Sequence, residues 1–224
     1  MIPILFQDKT LAVCLKPPGL LSQDGPAPSL PDALRQQLGC DIFPVHRLDR
    51  EAAGVMVFAL TGRSAAALSQ AVARREFDKQ YLCVLCGQPA EQEGVYRDLL
   101  FHDQTRNKSF VVQRMRGGVR EASLAFRTLA VRDGRSLAAV RLHTGRTHQI
   151  RVQFASRGTP LAGDRKYGGG AGDLLLWSAA LRFRHPQDGR LMAFCRAPEG
   201  GDWEVFRAEL DVFRQAGPEA LGDM

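Results

Sequence analysis

Short apolar runs alternate with polar, glycine- and proline-rich breaks along all 224 residues, and the period of each run sets its element. Period-2 runs predict strands at 2–6 and 11–15 around the turn Gln7-Asp8-Lys9-Thr10. Lys16-Pro17-Pro18-Gly19 then forms a rigid loop with a lysine at its base, because proline fixes φ and glycine permits a reversal. A polar loop at 22–28 leads to Ser29, which caps a helix over 30–38 that Gly39 closes. After Gly54 come a buried strand at 55–60 and an alanine-rich helix at 64–75, with Arg74 and Arg75 in its last turn. Strands are expected at 77–87, with Tyr81 on the face of Cys83 and Leu85, and at 95–101, 109–113, 123–131 and 137–142. Gly145 breaks the pattern, and a helix from Thr147 to 156 turns Ile150 and Phe154 toward the core. Two more strands (174–183, 190–194) precede a terminal amphipathic helix at 202–215 with Val205, Leu210 and Phe213 inward, and 217–224 is expected to fray. Strands and helices interleave irregularly, without repeat or compositional boundary. The expectation is an α+β fold in a single domain over 1–224.

Charge narrows the partners. Thirty Lys and Arg against 24 Asp and Glu give a net charge of +6 and a pI of about 9.4, which favours a polyanion, RNA or DNA first. Much of this charge falls in 106–120, where Arg106, Lys108, Arg114, Arg116 and Arg120 accompany Phe110 and a Gly117-Gly118 pair. Such a segment reads as a basic hairpin that clamps RNA, or more plainly as a solvated loop. Five scattered cysteines, an odd number, point to reduced thiols and a cytoplasmic setting. Cys83 and Cys86 would face opposite sides of a strand, which argues against a shared metal. No apolar run is long enough to span a bilayer, and residues 1–7 lack a basic leader, so a soluble, unprocessed protein is expected. No protein partner is implied, and a monomer is the default.

Two stretches carry chemistry. In Phe43-Pro44-Val45-His46-Arg47-Leu48-Asp49-Arg50, an extended chain puts Arg47 and Asp49 on one side, while Leu48 anchors in the core. A carboxylate between two arginines stays ionised, which suits a nucleophile or base rather than a general acid; a surface salt bridge is the plainer alternative. In Leu142-His143-Thr144-Gly145-Arg146-Thr147-His148-Gln149-Ile150-Arg151, the amides at a helix start attract anions, and Arg151 at the edge of the buried face needs a carboxylate. The glycine-rich stretch 163–170 lacks the order of a phosphate-binding loop. A metal-dependent hydrolase using His46, His143 and His148 is disfavoured, since His143 and His148 are five apart across a glycine.

In this order the pieces resemble the RluA family of RNA pseudouridine synthases. Lys16-Pro17-Pro18-Gly19-Leu20, His46-Arg47-Leu48-Asp49 with Gly54, Lys79-Gln80-Tyr81, and Thr144 through Arg151 followed by Gly163-Asp164 and Tyr167-Gly168 match its motifs over roughly residues 3–197. The resemblance implies an α+β fold whose central, mostly antiparallel mixed sheet carries flanking helices and a basic active-site cleft. It implies isomerisation of uridine to pseudouridine in RNA without cofactor or metal. By motif, Asp49 would be the catalytic aspartate, attacking covalently or stripping a ribose proton. Tyr81 would stack on the everted uracil and help take its C5 proton, and Arg151 would pair with Asp49. Ile150 would line the pocket, Arg47 would fill the space the base leaves, and Arg146 and His148 would bind substrate. Ribosomal and transfer RNA both stay open as substrates. One departure is Ala52-Ala53 where the family usually has Thr-Ser, which removes two hydroxyls beside the catalytic loop. It lends some weight to an alternative, an inactive RNA-binding or ribosome-assembly protein on the same fold.

Overall fold

The computed structural model describes residues 1–217, so the expected frayed tail lies, apart from Gly217, outside the described residues. In chain order the elements are β1 (Ile4–Gln7), β2 (Leu11–Lys16), α1 (Leu30–Leu38), β3 (Phe43–Pro44), β4 (Ala53–Ala59), α2 (Gly62–Ala73) and β5 (Asp78–Cys86). There follow β6 (Glu93–Asp103), β7 (Lys108–Val112), β8 (Val119–Arg132), β9 (Arg135–Leu142), α3 (Gln149–Ala155), β10 (Leu176–Arg184) and β11 (Leu191–Cys195). A 3-10 segment (Gly201–Phe206) and α4 (Arg207–Ala216) close the described chain. This is the α+β arrangement expected from the pattern.

Local chemistry sets the helix ends. Ser29 Oγ accepts from the Asp32 amide at the start of α1, and Gly39, left-handed at φ 67°, returns its amide to the Arg35 carbonyl. Helix α2 begins at Gly62, earlier than the expected 64, because Thr61 is the cap and its Oγ1 accepts from the Ser64 amide. It ends at Ala73, so Arg74 is the C-cap and Arg75, at φ 61°, lies beyond the last turn.

The chain divides into two units. The first comprises Met1–Lys79 and Trp177–Arg196. Here β2 pairs antiparallel with β4 from Leu11↔Ala59 to Lys16↔Gly54, and β1 pairs with β2. The other edge of β4 takes β3 near Ala59 and the parallel β10 near Ala53, and β11 pairs antiparallel with β10. Every residue of β4 is buried, which explains its unbroken apolar run. Val13, Val55, Val57, Leu68, Phe77, Leu181 and Phe183 form this unit's core, with Phe77 and Phe183 stacked at 5.0 Å.

The second unit comprises Gln80–Leu176 and the described residues from Ala197 on. Its strands run β5-β9-β8-β6-β7, all antiparallel. Phe154 of α3 is fully buried and meets Phe126 and Tyr96 edge-on; burial of such a ring is worth about 1.5–3 kcal/mol. Two expectations change here. The segment 106–120 is not one hairpin: β7 pairs with one edge of β6 and β8 with the other, leaving separate turns at 104–107 and 113–118. The terminal helix opens as a 3-10 segment, whose three-residue period turns Trp203 and Phe206 inward and leaves Val205 37% exposed, not in the core. Leu210 and Phe213 are buried as expected.

Candidate active site

The loop carrying Asp49 is held by its backbone. Lys16, 1% exposed at the end of β2, donates from Nζ to the carbonyls of Pro17 (3.0 Å), Arg50 (2.9 Å) and Ala52 (2.7 Å). Burial pushes its ammonium down to about 8, while Glu51 and Asp49 nearby oppose the shift. On the other side Ser22 Oγ donates to the Leu48 carbonyl (2.8 Å) and accepts from its amide (3.1 Å). Gly19 donates its amide to the Arg50 carbonyl, and Arg50 Nε returns a bond to the Gly19 carbonyl. The loop closes on itself through the Ala52 amide and the Asp49 carbonyl. Residues on both flanks therefore fix the path of the chain through Asp49.

Burial follows the alternation read from sequence, although residues 45–49 form no strand. Leu48 is 6% exposed, Arg47 is exposed and Asp49 is half-buried. His46 accepts at Nε2 from the Val57 amide (3.1 Å); burial, aided by the charge of Lys79, holds the ring well below the usual histidine range and thus neutral. Gly54 has φ 114°, and a Cβ there would lie 2.4 Å from the Ser178 carbonyl oxygen, so only glycine lets β10 approach β4. Ala52 and Ala53 are both buried. The side-chain bonds to this loop's backbone described above come from Lys16 and Ser22.

The second unit holds the other candidates. Tyr81 sits in mid-β5, opposite Val140 of β9 and 4% exposed. Ile150, Arg151 and Phe154 are buried on α3, which starts at Gln149 rather than Thr147. The Arg146 amide there is taken by Gln149 Oε1 (3.0 Å), and Arg146 Nε donates to the Glu121 carbonyl, leaving the residue on the exposed surface.

The carboxylate that a buried Arg151 requires includes Asp164, which sequence reasoning quoted only as part of a motif. Arg151 Nε donates to Asp164 Oδ2 (2.7 Å) and Nη2 to Oδ1 (2.8 Å), with side chains 4% and 0% exposed. The chelate is bidentate and uses one edge of the guanidinium; the donors of Nη1 lie outside it. Asp164 Oδ1 also accepts from the Lys166 and Tyr167 amides. The turn that presents Asp164 depends on Gly163, at φ 75°, where a Cβ would meet the Asp173 carbonyl oxygen at 1.8 Å.

Tyr167 also escaped the sequence reading as a site residue. Its Oη accepts from the Ser109 amide (2.7 Å) and lies 3.0 Å from His148 Nδ1, and its ring is 5.4 Å from the Arg151 guanidinium. Burial pushes its phenol up to about 12. His148 is 7% exposed and caps α3 in a left-handed conformation at φ 54°. Each histidine of the disfavoured metal reading has a local partner: Val57 for His46, Ser123 for His143 and Tyr167 for His148.

Comparisons place these motifs in a family. The family model described as RNA pseudouridylate synthase matches residues 10–156. The chain is 33% identical over 204 residues to the dual-specificity RNA pseudouridine synthase RluA of Escherichia coli, covering 87% of this chain and 92% of that one. It is 32% identical over 180 residues to an uncharacterized RNA pseudouridine synthase, YhcT, of Bacillus subtilis, a match spanning 76% of this chain but only 59% of that protein. The fold is that of human RNA pseudouridylate synthase domain containing 4 (TM-score 0.73, 24% identity, 88% of this chain and 89% of that one). Human RNA pseudouridylate synthase domain containing 1 shares it too (TM-score 0.76, 21% identity, 92% and 86%). The matched stretch spans the positions of Lys16, Asp49, Tyr81 and Arg151, and the chain belongs to the RluA family of RNA pseudouridine synthases.

Proposed function

We propose that this protein isomerises uridine to pseudouridine at specific positions of structured RNA, with Asp49 as the catalytic carboxylate. The observation that carries the reading is the backbone clamp on Asp49: Lys16 and Ser22 bond the carbonyls on either side of it, so the loop carries the carboxylate along a fixed path. The reaction breaks the N1–C1′ bond, turns the uracil and joins C5 to C1′; the C5 proton leaves to solvent and N1 takes up one in its place, so the product is an isomer of the substrate. The base must leave its stack first, and unpaired loops are the least costly targets.

In this reading Arg151, fixed along one edge by Asp164, is the cation that pairs with the Asp49 carboxylate during the reaction and keeps it ionised. Tyr81 supplies the stacking face, worth about 1–3 kcal/mol per base, and helps remove the C5 proton. Ile150 packs the apolar edge of the uracil, Arg47 fills the space the base leaves, and Arg146 and His148 contribute to RNA binding. No cofactor or metal enters.

Relatives described as dual-specificity synthases, and the tRNA pseudouridine synthase C of Vibrio cholerae (29% identical over 213 residues), support ribosomal or transfer RNA as substrate. The reading is of a monomer acting on RNA in the cytoplasm; no helix of the described residues is long and apolar enough to cross a membrane. The Ala52-Ala53 departure is the one feature that favours an inactive RNA-binding protein. Mapping pseudouridine transcriptome-wide in cells with and without the gene tests the choice: sites lost on deletion and restored by purified protein on unmodified transcripts support the enzyme, and an unchanged map refutes it.

A further inference from the structure

The strand flanked by basic turns is bonded to the turn that chelates Arg151. Strand β7 runs from Lys108, between turns bearing Arg106, Arg114 and Arg116, all three exposed. The Ser109 amide donates to Tyr167 Oη (2.7 Å), Ser109 Oγ donates to the Thr147 carbonyl (2.6 Å), and Lys166 Nζ donates to the Asn107 carbonyl (2.7 Å). Tyr167 is the common member. Its backbone amide bonds Asp164 Oδ1, its ring lies 5.4 Å from the Arg151 guanidinium and 5.1 Å from Lys108 Nζ, and its hydroxyl joins β7 to His148, the cap of α3. It also packs with Leu100, Val111, Ala122 and Val152, which belong to β6, β7, β8 and α3. Ser109 is 1% exposed, so its amide has no water to fall back on if the phenol is lost.

We propose that Tyr167 is a positioning residue that couples β7 to Arg151, so that RNA held by the cations around β7 sets the rate of isomerisation and not only the affinity. Three elements that share one buried hydroxyl and one packed ring move together or not at all. An RNA phosphate pulling on Arg106, Lys108 or Arg114 thereby acts on the turn 163–168 and on the guanidinium seated in it. The inference rests on the reading of Arg151 given above.

The test is a double-mutant cycle on Tyr167→Phe and Arg114→Ala, using unmodified transfer and ribosomal RNA transcripts and measuring both the dissociation constant and the single-turnover rate at saturating RNA. Arg114 lies in a different turn from Tyr167, so their coupling does not reduce to a shared contact. Tyr167→Phe is expected to lower the saturating rate about tenfold with affinity within about twofold. Arg114→Ala is expected to weaken binding in both backgrounds but to slow the saturated reaction only where Tyr167 is intact. A purely structural Tyr167 gives additive rate losses, and that result, or an unchanged rate in Tyr167→Phe, overturns the coupling. Lys166→Ala, which removes only the bond to Asn107, is the milder variant should Tyr167→Phe not fold, with a rate loss of about twofold expected and no loss overturning the inference. Wild type that makes no pseudouridine would instead sink the assigned function.

Discussion

Replacing Lys16 with methionine tests whether the buried ammonium is the clamp on the Asp49 loop. The side chain keeps its length and loses three charge-assisted bonds, to Pro17, Arg50 and Ala52, each worth about 1.5–3 kcal/mol. Only the Arg50 carbonyl keeps another donor, the Gly19 amide, among the bonds described above. Opposing this is the cost of burying the charge. A pKa lowered from 10.5 to about 8 corresponds to roughly 3 kcal/mol, recovered when the charge is removed. The net expectation is a loss of about 2–4 kcal/mol at pH 7 in urea unfolding, with the saturated isomerisation rate falling about 100-fold as the loop loosens. The pH dependence has a definite sign. Folding lowers the pKa of Lys16, so the unfolded chain holds that proton more tightly, and wild-type stability rises as pH climbs from about 8 toward 10.5. The variant lacks that rise, so the gap between the two proteins widens by up to about 3 kcal/mol across the window. Equal stability at pH 7, or a gap that narrows toward pH 10, would refute the reasoning.

Other perturbations have equally definite outcomes. Asp164→Asn leaves Arg151 buried with half its chelate and should cost about 3–5 kcal/mol in urea unfolding, whereas the apolar pair Arg151→Met with Asp164→Leu should recover most of that stability without recovering pseudouridine formation. Gly54→Ala drives a Cβ into the Ser178 carbonyl at a backbone conformation alanine resists, and a thermal melt should show at least about 2 kcal/mol lost or no folded protein. Burial disfavours the Asp8 charge, yet bonds from the Thr10 and Leu11 amides, the Thr10 hydroxyl and His185 lower its pKa from 3.8 to about 2. The stability it contributes is complete above pH 3.8 and lost as pH falls through 2, so acid titration of Asp8→Asn should lack that part of the wild-type decline.

What the sequence made legible was mostly local. Ser29 and Gly39 mark both ends of α1 because a cap needs only a hydroxyl or a missing Cβ within a few residues. Leu48 is buried between a more exposed Arg47 and Asp49, as simple alternation suggests. The loop-forming sequence Lys16-Pro17-Pro18-Gly19 was readable as rigid, but not that the lysine would reach carbonyls 34 and 36 positions ahead. Arg151 was seen to need a carboxylate, while the chelating Asp164 lies 13 residues on, across a turn whose path is set by Gly163 and the tertiary packing around it. Tyr167 was hidden for the same reason: its partners Ser109 and His148 are 58 and 19 residues away, and no periodicity encodes such a meeting. Val205 misled because a helical period was applied where the chain runs as a 3-10 segment.

The central claim, that the Asp49 carboxylate performs the isomerisation, is tested most directly by tritium release from RNA labelled at C5 of uridine. Joining C5 to the ribose expels that hydrogen, so wild type should release tritium in proportion to pseudouridine formed. Asp49→Asn should bind the same RNA within about twofold, since the amide keeps the side chain's shape, and release none. Tritium release by Asp49→Asn at more than a trace of the wild-type rate would contradict the account.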